Sequence, residues 1–301
     1  MTPTPTISVV MPVYNAEPYV AEAVESILTQ TFDNFEFIII DDGSTDRSIH
    51  LLRHYATRDS RIRVIGRPNT GIVGALNDGL AVASGEFIAR MDADDISLPS
   101  RFAIQLDYLK NHPECLAVGC MVLSIDKDGA SLDTWNFPLD HEEIDKRQLE
   151  GHQEIAHPAL MARRTAVLAV QGYRLESETC EDLDLFLRLA ERGRLANVPD
   201  TLLKMRRHLS SICHTKQELQ NRVRESVLLE AWKRRGLTTQ TILHQDGPSD
   251  FSVSAYYRKW AWAALGGGHV PTARKYAWAA LRRAPFSIET WRVLYCSQRG
   301  Y

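Results

Sequence analysis

The chain has 301 residues, a formal charge of −3 and a hydrophobic fraction of 44%. This length predicts one large domain with an appendage, or two domains, and the near-neutral charge gives no sign of general affinity for nucleic acid. The five cysteines are scattered without CxxC spacing. That pattern argues against a zinc knuckle or a disulfide framework and is typical of a reducing cytosol.

The first six residues predict a short extended tail. They lack the basic start and apolar centre of a signal peptide, and no apolar run in the sequence approaches the ~20 residues that span a bilayer. We therefore expect a cytoplasmic protein, either soluble or peripheral at the inner face of the membrane.

Apolar strand-like runs alternate with amphipathic helices over the first hundred residues. This alternation predicts an α/β fold with a mostly parallel central sheet that is flanked by helices. The predicted strands are residues 7–13, 35–40, 62–65 and 86–91, and the predicted helices follow Pro18, Arg47 and Gly71.

The second half of the chain is less regular and ends in helices. After a helix near residues 102–109, strands with long polar connections are expected over 115–158, and a helix begins at Glu181. From about residue 216 the pattern is mainly helical. We predict a tail at 1–6, one domain at 7–215 and a C-terminal helical region at 216–301.

Two helices of that C-terminal region are expected on either side of Gly266-Gly267-Gly268. They resemble one tetratricopeptide-type hairpin, which would cap the main domain or bind a protein partner. The alternative is a basic surface that touches a membrane, and its residues would be Arg274, Lys275, Arg282 and Arg283.

Acidic side chains follow two of the predicted strands. Asp92 and Asp94 come directly after the strand at 86–91, and Asp41 ends the strand at 35–40. Buried carboxylates repel one another unless a cation or a polar ligand completes the site. Open α/β sheets bind ligands beyond the carboxyl ends of their strands, so the sequence predicts a metal and nucleotide site there.

A third acidic pair, Glu181-Asp182, begins a helix. The helix dipole stabilises carboxylates at this end, so both are expected to be ionised near neutral pH. One of them could accept a proton from a hydroxyl, although acidic residues are also ordinary at helix starts.

Six segments in this order resemble the inverting family 2 glycosyltransferases, which have the A-type nucleotide-diphospho-sugar transferase fold. The resemblance covers about residues 7–211. The segments are Ser8-Val-Val-Met-Pro-Val-Tyr-Asn15, Ile40-Asp-Asp-Gly-Ser-Thr-Asp46, Asn69-Thr-Gly with Ala75-Leu-Asn-Asp-Gly79, the run from Ala83 to Asp95, His157-Pro158, and Cys180-Glu-Asp-Leu-Asp-Leu-Phe-Leu-Arg188.

The resemblance implies a role for each matching residue in the donor site. Pro12, Tyr14 and Glu17 would line the nucleotide base, and Asp41 would bind it, most often as uracil. Asp92 would contact the ribose or the metal.

The resemblance also implies the metal ligands and the catalytic residues. Asp94 would be the principal ligand of Mn²⁺ or Mg²⁺, and His208 would approach the same ion. Met205 stands where the family has an aromatic residue before Arg-x-His, a departure at this last position. Asp182 would be the catalytic base, with Glu181 orienting the acceptor.

The implied activity is transfer of a sugar, with inversion, from a nucleotide-diphospho-sugar (a UDP-sugar above all) to a hydroxyl of a saccharide or lipid-linked saccharide. This would serve the assembly of surface polysaccharide or glycolipid.

Three alternatives remain open from the sequence. A non-catalytic scaffold could bind nucleotide-sugar or glycan and dock partners through its helical tail. A haloacid-dehalogenase-type phosphohydrolase also has an Asp-x-Asp pair, but Ile96 stands where its motif has Thr or Val. A nucleotidyltransferase would need a glycine-rich basic loop, which residues 14–18 do not form.

Overall fold

The computed structural model describes residues 4–209, 217–238 and 252–300. The chain forms two compact units. The first contains Met1–Met121, Asn136–Leu203 and Glu218–His244, and the second contains Val122–Trp135, Lys204–Gln217 and Gln245–Tyr301. This division differs from the boundary predicted at 215/216, because part of the chain's middle belongs to the second unit. The domain prediction itself stays a prediction.

Four parallel strands form one half of the sheet in the first unit. Their order is β3-β2-β1-β4, so β1 lies between β2 and β4. The strands are almost fully apolar because helices cover both faces of a parallel sheet. They are β1 (Ile7–Val13), β2 (Phe35–Asp41), β3 (Ile62–Gly66) and β4 (Phe87–Arg90).

Helices connect these strands and cover the sheet. The helix after β3 packs closely on β1, since a Cβ at Gly79 would clash with Val10 Cγ1. The helices are α1 (Val20–Leu28), α2 (Ser48–Ala56), α3 (Ile72–Val82) and α4 (Arg101–Asn111).

Beyond β4 the sheet becomes mixed. The strand order continues β4-β8-β6-β9-β5, and β8 is antiparallel to both β4 and β6. β6 also pairs in antiparallel with β7, and the residues of this pairing belong to the second unit. The strands are β5 (Ile96–Ser97), β6 (Cys115–Ile125), β7 (Ser131–Trp135), β8 (Met161–Arg163) and β9 (Arg194–Arg206).

Four further helices complete the first unit. The last of them packs on α7 through an apolar cluster that includes Leu183, Leu187, Leu228 and Trp232. The helices are α5 (His141–Leu149), α6 (Arg164–Ala169), α7 (Glu181–Ala190) and α8 (Gln217–Arg234).

The second unit is built on three helices and the β7 strand. The two helices predicted on either side of the glycine turn are present as α9 (Val253–Gly266) and α10 (Val270–Arg283), and α11 (Ile288–Arg299) follows. Small residues in α9 and α10 allow close packing around Trp260 and Tyr276. Of the helices within the described ranges, none has both the length and the apolar character needed to cross a membrane.

Candidate active site

The acidic ends of β2 and β4 lie at the same edge of the sheet. Both strands pair in parallel with β1, where Val13 is opposite Asp41 and Val10 is opposite Arg90. Neighbouring strands lie about 5 Å apart, and only β1 lies between β2 and β4. The two acidic segments therefore lie on either side of the end of β1. The predicted juxtaposition of the segments that follow β2 and β4 is therefore present.

Asp41 and Asp42 have different surroundings although they are adjacent. The Asp42 carboxylate accepts hydrogen bonds from the backbone N–H of Thr70 (3.2 Å) and Gly71 (2.9 Å), and it lies 3.2 Å from Arg67 Nε. Asp41 is also buried, but its Oδ1 has no hydrogen-bond partner within the described ranges. Asp42 thus holds the loop after β3, and Asp41 keeps an oxygen that a ligand could use.

The loop after β1 is tied to the loop after β2. The backbone N–H of Asn15 donates to Ser44 Oγ (3.0 Å), and Asn15 Oδ1 accepts from the Thr45 N–H (2.8 Å). One residue further on, the Ala16 N–H donates to Ser48 Oγ (2.9 Å). Asn15 adopts a left-handed conformation with φ 50°, which Asn tolerates better than most residues.

The three residues predicted to line the nucleotide base lie in and after β1. Pro12 is in the strand, Tyr14 is 53% exposed, and Glu17 lies in the following loop. The Glu17 carboxylate accepts a hydrogen bond from the Arg47 N–H (3.1 Å), so it also holds the two loops together. Their contact with a base stays a prediction.

Asp92, Asp94 and Asp95 form a compact cluster after β4. One carboxylate oxygen from each lies within 4.8 Å of the others. Three hard oxygen donors in this spacing fit Mg²⁺ or Mn²⁺. Asp95 is buried and was not among the predicted ligands.

The Asp92 carboxylate is also bound by a buried cation. Its side chain forms an ion pair with Arg90, the last residue of β4. Burial raises the pKa of Asp92, the Arg90 charge opposes this, and the nearby Asp94 raises the pKa further. The cluster is therefore a place where negative charge is held at a cost and where a bound cation would relieve repulsion.

Arg101, the first residue of α4, binds the backbone at the end of β4. Its guanidinium donates to the backbone carbonyls of Arg90 (2.8 Å) and Leu160 (3.1 Å) and to Gln105 Oε1 (3.0 Å). Burial lowers the pKa of Arg101 to about 10, so it stays charged at neutral pH. The sequence analysis did not single out Arg90 or Arg101. The signal available in the sequence was that Arg90 lies in a buried apolar strand and that Arg101 follows this strand in the chain.

Glu181 and Asp182 form a buried acidic pair at the start of α7. Glu181 accepts from the Thr179 N–H (2.9 Å), while Asp182 accepts from the Leu183 N–H (2.7 Å) and from Gln153 Nε2. Burial, and then the charge of Asp182, raise the pKa of Glu181 to about 7. Burial also raises the pKa of Asp182. The expectation that the helix dipole keeps both groups ionised is wrong for Glu181, because burial and mutual repulsion outweigh the dipole.

Thr179, just before this pair, has a strained backbone. Its φ of 85° is in the left-handed region, which is rare for a β-branched residue. α8 contacts the same turn: Gln220 Nε2 donates to the Thr179 carbonyl (3.1 Å), and the Cys180 thiol donates to the Gln220 carbonyl (3.4 Å). The buried Arg224 is one turn further along α8, and its charge lowers the pKa of Asp182. These α8 contacts were not predicted.

The third acidic residue of this segment, Asp184, is structural. It is fully buried and is bound by both Arg174 and Arg188, with Arg188 Nε at 2.9 Å. Two guanidinium groups on one carboxylate satisfy its charge. Asp184 therefore serves the fold, and the role of Asp182 as a base stays a prediction.

The charge of Arg90 links the cluster after β4 to the pair on α7. It acts on the pKa of Glu181 and of Asp182 as well as on that of Asp92. Tyr173, whose pKa is raised by burial, lies within electrostatic reach of the same groups. The two acidic groups therefore lie within electrostatic reach of the same buried arginine.

His157 also belongs to this site. Its Nε2 lies 2.8 Å from the Tyr173 hydroxyl, and burial together with the Arg90 charge lowers its pKa well below the usual value. A neutral imidazole here supports Tyr173. By itself the His-Pro motif predicted no role.

His208 lies two residues after β9 ends and belongs to the second unit. Its predicted approach to the metal stays a prediction.

These features define a sugar-nucleotide-type transferase site at the carboxyl edge of an α/β sheet, and comparison with known proteins is consistent with that class. The model of the family described as glycosyl transferase family 2 matches residues 8–170, more than half of the chain. The chain belongs to glycosyl transferase family 2.

One relative is similar over most of its length. The O-antigen biosynthesis glycosyltransferase WbnJ of Escherichia coli is 34% identical over 210 residues, which cover 68% of this chain and 81% of that protein. The family assignment sets aside the phosphohydrolase and nucleotidyltransferase alternatives.

Two solved structures share the fold. The complex of Staphylococcus aureus TarS 1-349 with UDP superposes with a TM-score of 0.58 at 16% identity and covers 98% of this chain and 92% of that one. Mannosyltransferase PcManGT from Pyrobaculum calidifontis, in complex with GDP-Man and Mn²⁺, gives a TM-score of 0.58 at 18% identity, with 99% and 81% covered. The predicted α/β architecture is confirmed.

Proposed function

We propose that the chain is a metal-dependent, inverting glycosyltransferase that moves a sugar from a UDP-sugar to a hydroxyl of a saccharide acceptor. The observation that carries this proposal is the cluster of carboxylates at Asp92, Asp94 and Asp95, together with the buried Glu181-Asp182 pair, in a chain that the family model matches over residues 8–170. A donor site and a proton acceptor are the two parts that sugar transfer requires.

Asp41 is assigned to the nucleotide base. Its Oδ1 is buried and has no hydrogen-bond partner within the described part of the chain, and such an atom costs free energy until a donor reaches it. The imide N–H of uracil is a donor of the right kind. The complex of TarS with UDP supports this choice of nucleotide.

The residues that would hold a divalent cation are Asp92, Asp94 and Asp95, with Asp94 as the principal ligand that the family resemblance implies. When bound, Mn²⁺ or Mg²⁺ neutralises the diphosphate of the donor. The complex of PcManGT with GDP-Man and Mn²⁺ supports a metal in this fold.

Asp182 is assigned as the catalytic base. It takes the proton of the acceptor hydroxyl, the acceptor oxygen forms a bond to the anomeric carbon, and the bond from that carbon to the diphosphate oxygen breaks. The nucleoside diphosphate leaves with the electron pair, and one displacement inverts the anomeric configuration. Burial raises the pKa of Asp182, which strengthens it as a base.

Glu181 and Gln153 are assigned to positioning. Gln153 donates to the Asp182 carboxylate and so orients it. Glu181 is held by the Thr179 N–H, and its remaining oxygen would orient the acceptor.

The acceptor and the cellular place follow from relatives and from chemistry. WbnJ is named for O-antigen biosynthesis, which supports a role in assembling surface polysaccharide or glycolipid on a saccharide or lipid-linked acceptor. Cys115, Cys120, Cys180 and Cys296 are free thiols, which fits a reducing cytoplasm.

A two-stage experiment tests this proposal. Thermal shift with UDP-, GDP- and dTDP-sugars, each with and without Mn²⁺, identifies the donor, and release of the nucleoside diphosphate then reports turnover. We expect stabilisation by a UDP-sugar and slow Mn²⁺-dependent release of UDP. Stabilisation without turnover for any donor and saccharide acceptor would instead support the non-catalytic scaffold.

A further inference from the structure

The second unit exposes a cluster of large apolar side chains at the end of its helices. Phe286 is 96% exposed and Ile288 is 85% exposed, and both lie where α10 passes into α11. Trp291 and Tyr295 are more than half exposed on α11. Such side chains normally avoid water, so their grouping calls for a partner.

Three of these side chains lie on one face of α11, and Phe286 lies in the turn before it. Ile288, Trp291 and Tyr295 follow helical spacing on the side of α11 opposite its buried residues. Trp291 Nε1 donates to the Pro285 carbonyl (2.8 Å), which fixes the indole beside Phe286. We name this the aromatic face, formed by Phe286, Ile288, Trp291 and Tyr295, with Arg292 and Trp262 at its side.

Arginines are part of the same surface. The Arg292 guanidinium lies 6.0 Å from the Trp262 ring, and Arg299 lies 4.6 Å from the Tyr295 ring. Arg292 and Arg299 share the exposed side of α11 with Ile288 and Tyr295. Each cation therefore stands beside an aromatic ring at the surface.

The C-terminal residues 252–300 carry a strong net positive charge. Residues 252–300 contain eight Lys or Arg and a single acidic residue, Glu289, for a formal charge of +7, while the whole chain carries −3. The partner of this face should therefore be anionic. A second copy that offered the same face would bring like charges together.

The basic residues singled out from the sequence are only partly available to such a partner. Lys275 is bound to Asp126 (2.5 Å) and Asp128 (2.8 Å) in the same unit. Arg274 donates to the carbonyls at the end of α11, at 3.0 Å for Ser297. The contact surface is thus the aromatic face and not the Arg274-Lys275 segment.

We propose that the aromatic face docks on an anionic lipid bilayer. Phe286 and Ile288 stand out at a turn between helices, a shape that enters a deformable lipid interface more readily than a preformed protein pocket. Trp and Tyr prefer the headgroup level, where their rings are half apolar and half hydrated. Arg292 and Arg299 meet the lipid phosphates, as in interfacial helices.

The test is sedimentation of the full-length protein with vesicles. Vesicles of phosphatidylcholine with 30% phosphatidylglycerol are compared with vesicles of phosphatidylcholine alone, each at 0.1 M and 0.5 M NaCl. We expect the protein to bind the vesicles that contain phosphatidylglycerol at least about tenfold more tightly than vesicles of phosphatidylcholine alone. Binding to the anionic vesicles should fall when NaCl is raised from 0.1 M to 0.5 M.

Matched variants connect the binding to the face. Phe286→Ser with Ile288→Ser should weaken vesicle binding at least about tenfold, and Arg292→Gln with Arg299→Gln should remove most of its salt dependence. Leu168→Ser, an exposed leucine of the first unit, is the control and should bind within twofold of the parent. Unchanged circular dichroism and melting of each variant show that folding is intact.

Three results would overturn the proposal. These are no binding to anionic vesicles, binding that is equal with and without phosphatidylglycerol, and binding that the Phe286 and Ile288 substitutions leave unchanged. Light scattering of the parent and the double variant adds a further check. A dimer that the double variant loses would assign the face to a second copy of the chain instead.

Discussion

Arg90 and Asp92 form an ion pair at the point where β4 ends, with the arginine buried and the carboxylate about one third exposed (33%). The pair leaves Asp92 partly neutralised before any ligand arrives. Asp94 and Asp95 lie within the same 4.8 Å cluster. A cation bound at this cluster would add a second positive charge beside Asp92, and Asp94 is the ligand that the family resemblance implies.

The first prediction concerns the metal. Asp94→Asn removes the charge of the principal proposed ligand, so the Mn²⁺ concentration for half-maximal transfer should rise at least about tenfold, since a carboxylate is the preferred donor for this hard cation. Titration of Mn²⁺ against release of nucleoside diphosphate measures this. Asp107→Asn, on the exposed side of α4, is the control, and equal turnover of the parent protein in EDTA would contradict a metal role.

The second prediction concerns the base. Asp182→Asn keeps the shape and the acceptor oxygen that binds the Leu183 N–H, but it cannot take a proton. Transfer should fall by about 10²-fold or more, while the donor still raises the melting temperature as in the parent protein. Unchanged transfer would mean that another group accepts the proton.

The third prediction concerns pH. The pKa of Glu181 is about 7 in the folded chain, whereas the ordinary pKa of a glutamate, which the unfolded chain should show, is 4.5. Below pH 4.5 the group is protonated in both states, so it costs nothing. Between pH 4.5 and 7 the unfolded chain ionises first, and the folded state loses stability on the order of 3 kcal/mol.

Glu181→Gln cannot ionise and so removes this loss. The free energy of unfolding of the variant, relative to that of the parent, should rise as the pH increases from 4.5 to 7, which urea titrations at several pH values measure. A difference that stays constant over this range would show that Glu181 titrates normally.

The fourth prediction concerns the fully buried Asp184. Asp184→Asn leaves the guanidinium group of Arg188 without its counter-charge and removes one of the carboxylates that bind Arg174, which keeps its pair with Glu230 (2.9 Å). Breaking a buried ion pair in this way typically costs about 3–5 kcal/mol. The urea midpoint should fall accordingly. Glu142→Gln breaks the exposed pair with Arg194 and should leave the midpoint unchanged; a similar drop in both variants would argue against a special role for Asp184.

The architecture could be predicted because burial on both faces of the sheet shows in the sequence. β2 contains four consecutive apolar residues, Phe37 to Ile40, and the residues that end β2 and β4, Asp41 and Arg90, are placed by the register with β1. The glycine run at 266–268 likewise marked the turn between α9 and α10. The split into two units depends on contacts between distant segments, which local patterns do not encode.

The acidic residues of the candidate site were singled out from the sequence, the cations that lie near them were not, and the functional roles of both stay predictions. Asp92 and Glu181 were visible because carboxylates are unusual after a buried strand and frequent at a helix start. Arg90 lies inside the strand and Arg224 lies on a helix more than 40 residues after Asp182, so only the fold brings them near. The raised pKa of Glu181 likewise arises from burial by residues that are distant in sequence.

The side chain of Asn15 joins the loop after β1 to the loop after β2, with Thr45 and Asp46 as its partners. Two segments that would otherwise fluctuate independently are thereby restricted to moving as one. The loops then lose less conformational entropy when a nucleotide binds. Asn15 would therefore increase the affinity for the donor without having to contact it. Substitution of Asn15 should therefore speed the release of the donor while the other residues of the pocket stay in place.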